Sequence, residues 1–202
     1  MKNIFSLCIF VCSILLTAYS QNLDINTLHS INSNNSASWD NACQITSKSI
    51  TPVCIAVPVG LFTYGLLKHD STTKRKALVT AAGILVASAI TQGIKYLVNR
   101  ERPFNTYAFI EKKSDGGDPS FPSGHTSAAF ATATSLSLCY PKWYVIAPSF
   151  LWAGAVGYSR MELGVHYPTD VMAGALVGAG FSWITWKVNK LLAEKKKNKP
   201  SP

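Results

Sequence analysis

Three short stretches carry residues whose types and spacing could do chemistry. Ser159 to Asp170 places Arg160, His166 and Asp170 between two runs of almost purely apolar sequence. Lys95 to Pro103 sets Lys95 and Arg102 at the end of another apolar run, and Pro122-Ser123-Gly124-His125 opens a third. Charged groups that close to hydrocarbon are costly unless they have a task. A carboxylate four residues from a histidine can hold one ring nitrogen and leave the other free as base or nucleophile, as in the hydrolase triads. Ser123 suits a helix N-cap. Gly124 lets a ligand approach the backbone at a helix N-terminus whose free N–H groups and dipole favour an anion, with His125 beside it. Lys95 and Arg102 are about two helical turns apart, so both project from one side if the helix continues that far, with Pro103 breaking it just afterwards.

Each residue taken singly also has a blander reading. Lys95 and Arg102 could be a snorkelling interfacial pair. Ser123 and His125 could be a cap and an interfacial histidine, and Asp170 a charge at a helix N-terminus. Three cations, two histidines and a carboxylate delivered to one place are more than those roles need.

The elements that must deliver them are membrane spans. The chain has 202 residues, one domain's worth, and is 48% hydrophobic with 14% charged residues and a net charge of +9. Soluble domains carry about 25% charged residues, so apolar and basic together point to a membrane protein with cationic loops. Much of the charge lies in Lys68 to Lys76 and Lys187 to Lys199, flanking apolar runs as topology signals do, which argues against nucleic-acid binding.

Apolar spans are expected at Ile50–Leu67, Ala77–Val98, His125–Tyr140, Trp143–Tyr158 and Val171–Trp186. The predicted fold is all-α, a polytopic membrane bundle of five helices, or six if the N-terminus adds one. Cationic Lys68–Lys76, Lys142 and the basic tail, residues 189–202, fall on one side, which the positive-inside rule makes cytoplasmic. The loops Asn99–Gly124 and Ser159–Thr169 fall on the other side with the three polar motifs. The expected location is therefore a bacterial-type cytoplasmic (inner) membrane, with the motifs facing the exterior or periplasm.

Residues 1–20 have the basic start, short apolar region and small residues of a signal peptide cleaved after Ser20, with an uncleaved first helix as the rival. Residues 21–49 show no sustained period and are expected to be an exported polar loop or arm. Residues 50–188 form the expected membrane domain. Gly174 and Gly178 make a GxxxG spacing that serves packing inside the bundle or a homodimer. The Ser/Thr-dotted third span reads as the central helix. The five cysteines have no metal spacing, a Cys43–Cys54 disulfide would need an oxidising compartment, and Cys54 reads more simply as a small buried hydrophobe.

Lys95-x6-Arg102-Pro103, Pro122-Ser-Gly-His125 and Ser159-Arg160-x5-His166-x3-Asp170 resemble, in order and without a substitution, the three signature motifs of the type 2 phosphatidic acid phosphatase superfamily. That superfamily includes bacterial acid phosphatases and vanadium haloperoxidases. The resemblance covers roughly Ile50 to Val188. It implies that His166 attacks phosphorus to form a phosphohistidine, that Asp170 orients it, and that His125 protonates the leaving oxygen. Lys95, Arg102, Arg160, Ser123 and the Gly124 N–H would clamp the phosphoryl oxygens, a charge-stabilising role that phosphoryl transfer needs.

No cofactor or metal is expected. Asp115 and Asp118, beside Gly116-Gly117, are too few for a hard cation and suit a lid or entry loop. The implied activity is hydrolysis of a membrane lipid phosphate, undecaprenyl diphosphate first, with phosphatidylglycerol phosphate, phosphatidate and lipid A phosphates as alternatives. A vanadate-dependent haloperoxidase would use the same residues, but the apolar spans and short chain speak against it. A non-catalytic phospholipid-binding or transport protein would need the cations but not an oriented histidine.

Overall fold

The computed structural model describes residues 22–33, 36–117 and 119–197, and every regular element among them is a helix. In chain order these are α1 (22–32), α2 (Ala37–Lys48), α3 (Ile50–Leu67), α4 (Ser71–Val98), α5 (Pro103–Thr106), α6 (Gly124–Cys139), α7 (Trp143–Glu162) and α8 (Pro168–Lys197). The five long helices stand where the five spans were expected, and the chain is an all-α polytopic membrane bundle. Three stretches are long and apolar enough to cross a bilayer by themselves: Ala37–Leu67, Ser71–Thr106 and Pro168–Lys195. α6 has only 16 residues, short of the ~20 a span needs, and is enclosed by α3, α4, α7 and α8. Around them lies a surface of exposed Leu78, Leu85, Leu97, Leu151 and Leu176, with exposed Trp143 and Tyr144 at the start of α7. Aromatic residues at that position match an interfacial belt.

Several expectations change. Residues 22–32 and 37–48 are helices rather than an irregular loop or arm. Their inward faces mix polar with apolar groups, Asp24 and Asn32 with Ile25 and Leu28 on α1, and Cys43 with Ser47 on α2, so no hydrophobic period shows. α4 begins at Ser71, ahead of Ala77, because Asp70 caps it, accepting from Thr72 N at 2.8 Å and from the Thr73 hydroxyl at 2.6 Å. The Lys74-Arg75-Lys76 run therefore lies in the helix. α8 continues past Trp186, where the Arg75 guanidinium bonds the Asn189 side chain and carbonyl at 2.7–2.9 Å. The signal-peptide expectation falls on residues 1–20, outside the described residues.

α6 is the centre of the bundle. Ala129, Ala131 and Ala133 are fully enclosed, and some of its hydroxyls bond locally or across helices: Thr132 to the Ala128 carbonyl at 2.8 Å, and Thr91 of α4 to Ser127 at 2.7 Å. The GxxxG residues of α8 face it. A Cβ on Gly178 would stand 2.1 Å from the Ser127 carbonyl oxygen, and one on Gly174 2.6 Å from that of Ser123. The small-residue stripe is thus consumed inside the bundle, the packing role of the two expected for it, and the homodimer through that face is not supported. Cys43, Cys54 and Cys139 are free thiols, so no Cys43–Cys54 disulfide forms. Cys54 packs beside Thr132, its sulfur 3.3 Å from the hydroxyl.

Candidate active site

The site lies where α4 ends and α6 and α8 begin. α7 closes with Arg160 and Glu162, and the chain reverses at Gly164, whose φ is +70°. A Cβ there would sit 2.2 Å from the Glu111 carbonyl oxygen, so only glycine fits both the left-handed backbone and the space. The turn aims Val165 and His166 inward, and both are buried.

Pro168 opens α8, and Asp170 in its first turn reaches back to accept from Tyr167 N at 3.0 Å, the reciprocal half of a capping box. The same oxygen, Oδ2, lies 3.4 Å from His166 Nδ1 and accepts from the Ser120 hydroxyl at 2.5 Å. Asp170 is fully enclosed, and its Oδ1 accepts from Arg100 at 2.8 Å. Asp170 is therefore both a helix-start charge and a histidine partner.

On the other edge of the imidazole, Arg102 Nη1 stands 3.3 Å from His166 Nε2. A guanidinium can only donate, so Nε2 accepts and Nδ1 carries the proton toward Asp170. This tautomer leaves the Nε2 lone pair facing the Arg102 guanidinium. Burial holds the imidazole well below its ordinary 6.5, at about 3; the hydrogen bond with Asp170 pulls the other way and the Arg102 charge adds to the lowering. His166 is neutral at physiological pH.

The cations arrive differently from the helical spacing expected of them. α4 stops at Val98, and Asn99 turns left-handed at φ 47° with its N–H on the Lys95 carbonyl at 2.9 Å. Lys95 and Arg102 therefore share no helix face, and Pro103 starts the short α5 instead of ending α4. Arg102 donates from Nε to the Gly117 carbonyl and from Nη1 to that of Val165, both at 2.7 Å. Lys95 donates to the Pro119 carbonyl at 2.6 Å. Arg160 donates to the Ser47 hydroxyl at 2.5 Å and to the Asp115 carbonyl at 3.4 Å, and its Nε is buried with no hydrogen-bond partner among the described residues. An orphaned buried N–H is costly unless a ligand meets it.

α6 supplies the rest. The Phe121–Pro122 peptide is cis, and Ser123 caps the helix, its hydroxyl oxygen accepting from Thr126 N at 3.4 Å and from Thr126 Oγ1 at 2.8 Å. Its own hydroxyl proton is left to donate. Ser123 N bonds the Asp170 carbonyl at 2.9 Å, which joins the starts of α6 and α8. Gly124 lies open beside Lys95, whose Cε would be 3.9 Å from an added Cβ. His125 is within electrostatic reach of Arg160, Arg102 and Lys95. The structure thus gathers His166, Asp170, His125, Lys95, Arg102, Arg160, Ser123 and Gly124 at one end of the bundle. Asp115 contributes a carbonyl to the same place, whereas Asp118 lies outside the described residues.

Four residues here had no assigned role from sequence. Ser120 and Arg100 hold Asp170, Ser47 of α2 holds Arg160, and Asp24 of α1 bonds Arg100 at 2.9 Å and the Thr169 N–H and hydroxyl at 2.9 and 2.6 Å. Arg100 was visible as a charge beside an apolar run, like its neighbours. Nothing marked Ser120, Ser47 or Asp24.

Residues 76–193 match the family model described as the PAP2 superfamily. The chain is 33% identical over 127 residues to an undecaprenyl-diphosphatase of Sulfolobus acidocaldarius, covering 61% of this chain and 60% of that protein. It is also 33% identical over 105 residues to a lipid A 4'-phosphatase of Bacteroides thetaiotaomicron, covering 52% and 47%. The match thus spans about half to three-fifths of the length of these curated relatives. Among solved structures, Aquifex aeolicus LpxE superposes with a TM-score of 0.73 at 28% identity over 82% of this chain and 95% of that one. The transmembrane PAP2-type phosphatidylglycerolphosphate phosphatase of Bacillus subtilis shares the fold at 20% identity and a TM-score of 0.71, over 97% and 98%.

Proposed function

The chain belongs to the PAP2 superfamily, and from that membership and the surroundings of His166 we propose that it is a membrane lipid-phosphate phosphatase working through a phosphohistidine. The observation that carries the reading is the imidazole itself: neutral, with Nδ1 toward Asp170 and Nε2 toward the guanidinium of Arg102. A phosphoryl oxygen drawing Arg102 to itself would bring phosphorus to Nε2.

In the first step Nε2 attacks the terminal phosphorus, its bond to the leaving oxygen breaks (the bridging oxygen of a diphosphate, the lipid alcohol oxygen of a monophosphate), and that oxygen takes a proton from His125. Lys95, Arg102 and Arg160 hold the equatorial oxygens, joined by the Ser123 hydroxyl and the Gly124 N–H at the start of α6, where donors and helix dipole favour negative charge. The buried, unpartnered Nε of Arg160 supports this clamp. In the second step water attacks the phosphohistidine, His125 accepts the water's proton, and inorganic phosphate leaves with the P–N bond broken.

The first substrate is undecaprenyl diphosphate, in keeping with the name of one relative. A lipid A phosphate, phosphatidylglycerol phosphate and phosphatidate are the alternatives the same clamp could take. The cationic ends of α4 and α8 support placing the site on the outer face of a cytoplasmic membrane.

The test is phosphate release from a panel of these lipids by the purified protein in detergent, with and without EDTA, and with vanadate as a mimic of five-coordinate phosphorus. Release that survives EDTA and is inhibited by vanadate is expected. Strict dependence on added Mg²⁺, or no release from any lipid phosphate, overturns the reading. Orientation is tested separately in intact cells: a cysteine at Gly117 should react with an impermeant thiol reagent and one at Lys74 should not.

A further inference from the structure

We propose that Arg100 and Asp24 are a positioning pair for this reaction, holding the Asp170 carboxylate so that its other oxygen keeps His166 on the attacking tautomer. The inference rests on the phosphohistidine reading and brings α1 into the catalytic machinery. Arg100 Nη1 donates to Asp170 Oδ1 and to the Thr169 hydroxyl, both at 2.8 Å, while Nη2 donates to Asp24 Oδ2 at 2.9 Å. Its guanidinium lies 3.7 Å from the centre of the Tyr167 ring. Asp24 is buried, and its carboxylate also takes the Thr169 N–H and hydroxyl. One planar fork thus spans two buried carboxylates on two helices, which lysine, a point charge, cannot reproduce.

The division of labour at Asp170 makes this more than a strut. Oδ2 serves His166, Ser120 and the Tyr167 N–H, and Oδ1 serves Arg100. Without Arg100 the carboxylate loses the cation that holds its Oδ1. It is then free to rotate Oδ2 away from Nδ1. Asp24 in turn sets where the guanidinium sits. Neither residue is part of the phosphate clamp, so the effect falls on chemistry and not on binding.

The experiment uses the full chain in detergent, with single-turnover phosphoenzyme formation and inhibition by inorganic phosphate as readouts. Arg100→Gln should slow phosphoenzyme formation about 10- to 100-fold, the range seen when the partner of an active-site ligand is removed, with KM and phosphate inhibition unchanged. Arg100→Lys should recover little, and Asp24→Asn, which keeps an acceptor for Thr169, should show a smaller loss of the same kind. In an Asp170→Asn background either change should add almost nothing, because the pair acts through that carboxylate.

Wild-type rates in Arg100→Gln and Asp24→Asn, a loss confined to KM, or a loss undiminished in the Asp170→Asn background would each overturn the proposal. If Arg100→Gln fails to fold, Asp24→Asn carries the same comparison. A wild-type rate in Asp170→Asn would overturn it as well, whereas acid-labile phosphoenzyme persisting in His166→Ala would strike the phosphohistidine reading, so the two failures are distinguishable.

Discussion

The two ends of the bundle treat charge in opposite ways. At the end that holds His166, the charged groups of Arg102, Arg160, Glu162 and Asp170 are buried; at the other, Arg75, Lys187 and Lys190 are exposed. Buried charge is tolerated only with partners, and here those are loop carbonyls, Ser47, Lys113 and one another. Of the exposed cations, Arg75 bonds Asn189 at the surface and Lys190 lies over the Trp186 ring at 5.6 Å. One end is therefore a fixed electrostatic site, and the other a solvated cationic surface.

The contrast can be broken most forcefully at His166. His166→Ala should abolish turnover and phosphoenzyme together, and Asp170→Asn should leave a slow residual rate, down by about 10⁴ if it parallels the loss of tautomer control in a serine protease. Acid-labile phosphoenzyme trapped in the His166→Ala protein would move the nucleophile to His125.

Next in size is the join between the helices that present the site. Gly178→Ala should cost about 1–3 kcal/mol, the usual penalty for overpacking, with activity falling as α6 and α8 separate. Gly180→Ala, two residues on with nothing within 4 Å, should be silent. Thermal unfolding in detergent compares them, and equal effects would mean the tight approach does not matter.

Acid sharpens the contrast further. The depressed pKa of His166 means that below pH 6.5 the unfolded chain takes up a proton that the native site refuses until about pH 3. Stability therefore falls as pH drops through that window, by at most about 1.4 kcal/mol per pH unit from this group. His166→Gln should flatten the dependence of unfolding on pH between 6.5 and 4. An unchanged slope would mean that the native imidazole takes up its proton near its ordinary pKa.

The smallest effects belong to the opposite end. Arg75→Gln and Lys190→Gln should each change stability by less than about 0.5 kcal/mol, as exposed positions usually do, and leave kcat unaltered. A loss of activity there would show that the two ends communicate.

Much of this contrast was legible in the sequence. Long apolar runs marked the five helices, and the interruptions by Lys95, Arg102, His125, Arg160, His166 and Asp170 marked the site end, because charges beside hydrocarbon are conspicuous. α1 and α2 stayed hidden because their buried faces carry Asp24, Asn32, Cys43 and Ser47 in place of a hydrophobic stripe. The expected span ended at Val98, as α4 does, but whether helix ran on to Arg102 was left open, because the break is a left-handed Asn99, which leaves no mark as plain as proline. The Ser120, Arg100 and Ser47 contacts join residues between 46 and 113 positions apart, and no local pattern encodes such pairings.

The zero clearance at Gly174 and Gly178 also bears on how the protein meets membranes of different thickness. Helices accommodate a thinner or thicker hydrocarbon layer by tilting. α3 buries only Ile50 and Gly65, and its close backbone approach is to α4 at Gly65 and not to the helices of the site. α6 and α8 touch backbone to backbone and are tied by the Ser123–Asp170 hydrogen bond, so they tilt as one body or not at all. The spacing between the Ser123–Gly124 helix start and the Asp170 helix start is thereby insulated from bilayer thickness. Changes in lipid chain length should loosen α3 before they alter the geometry of phosphoryl transfer.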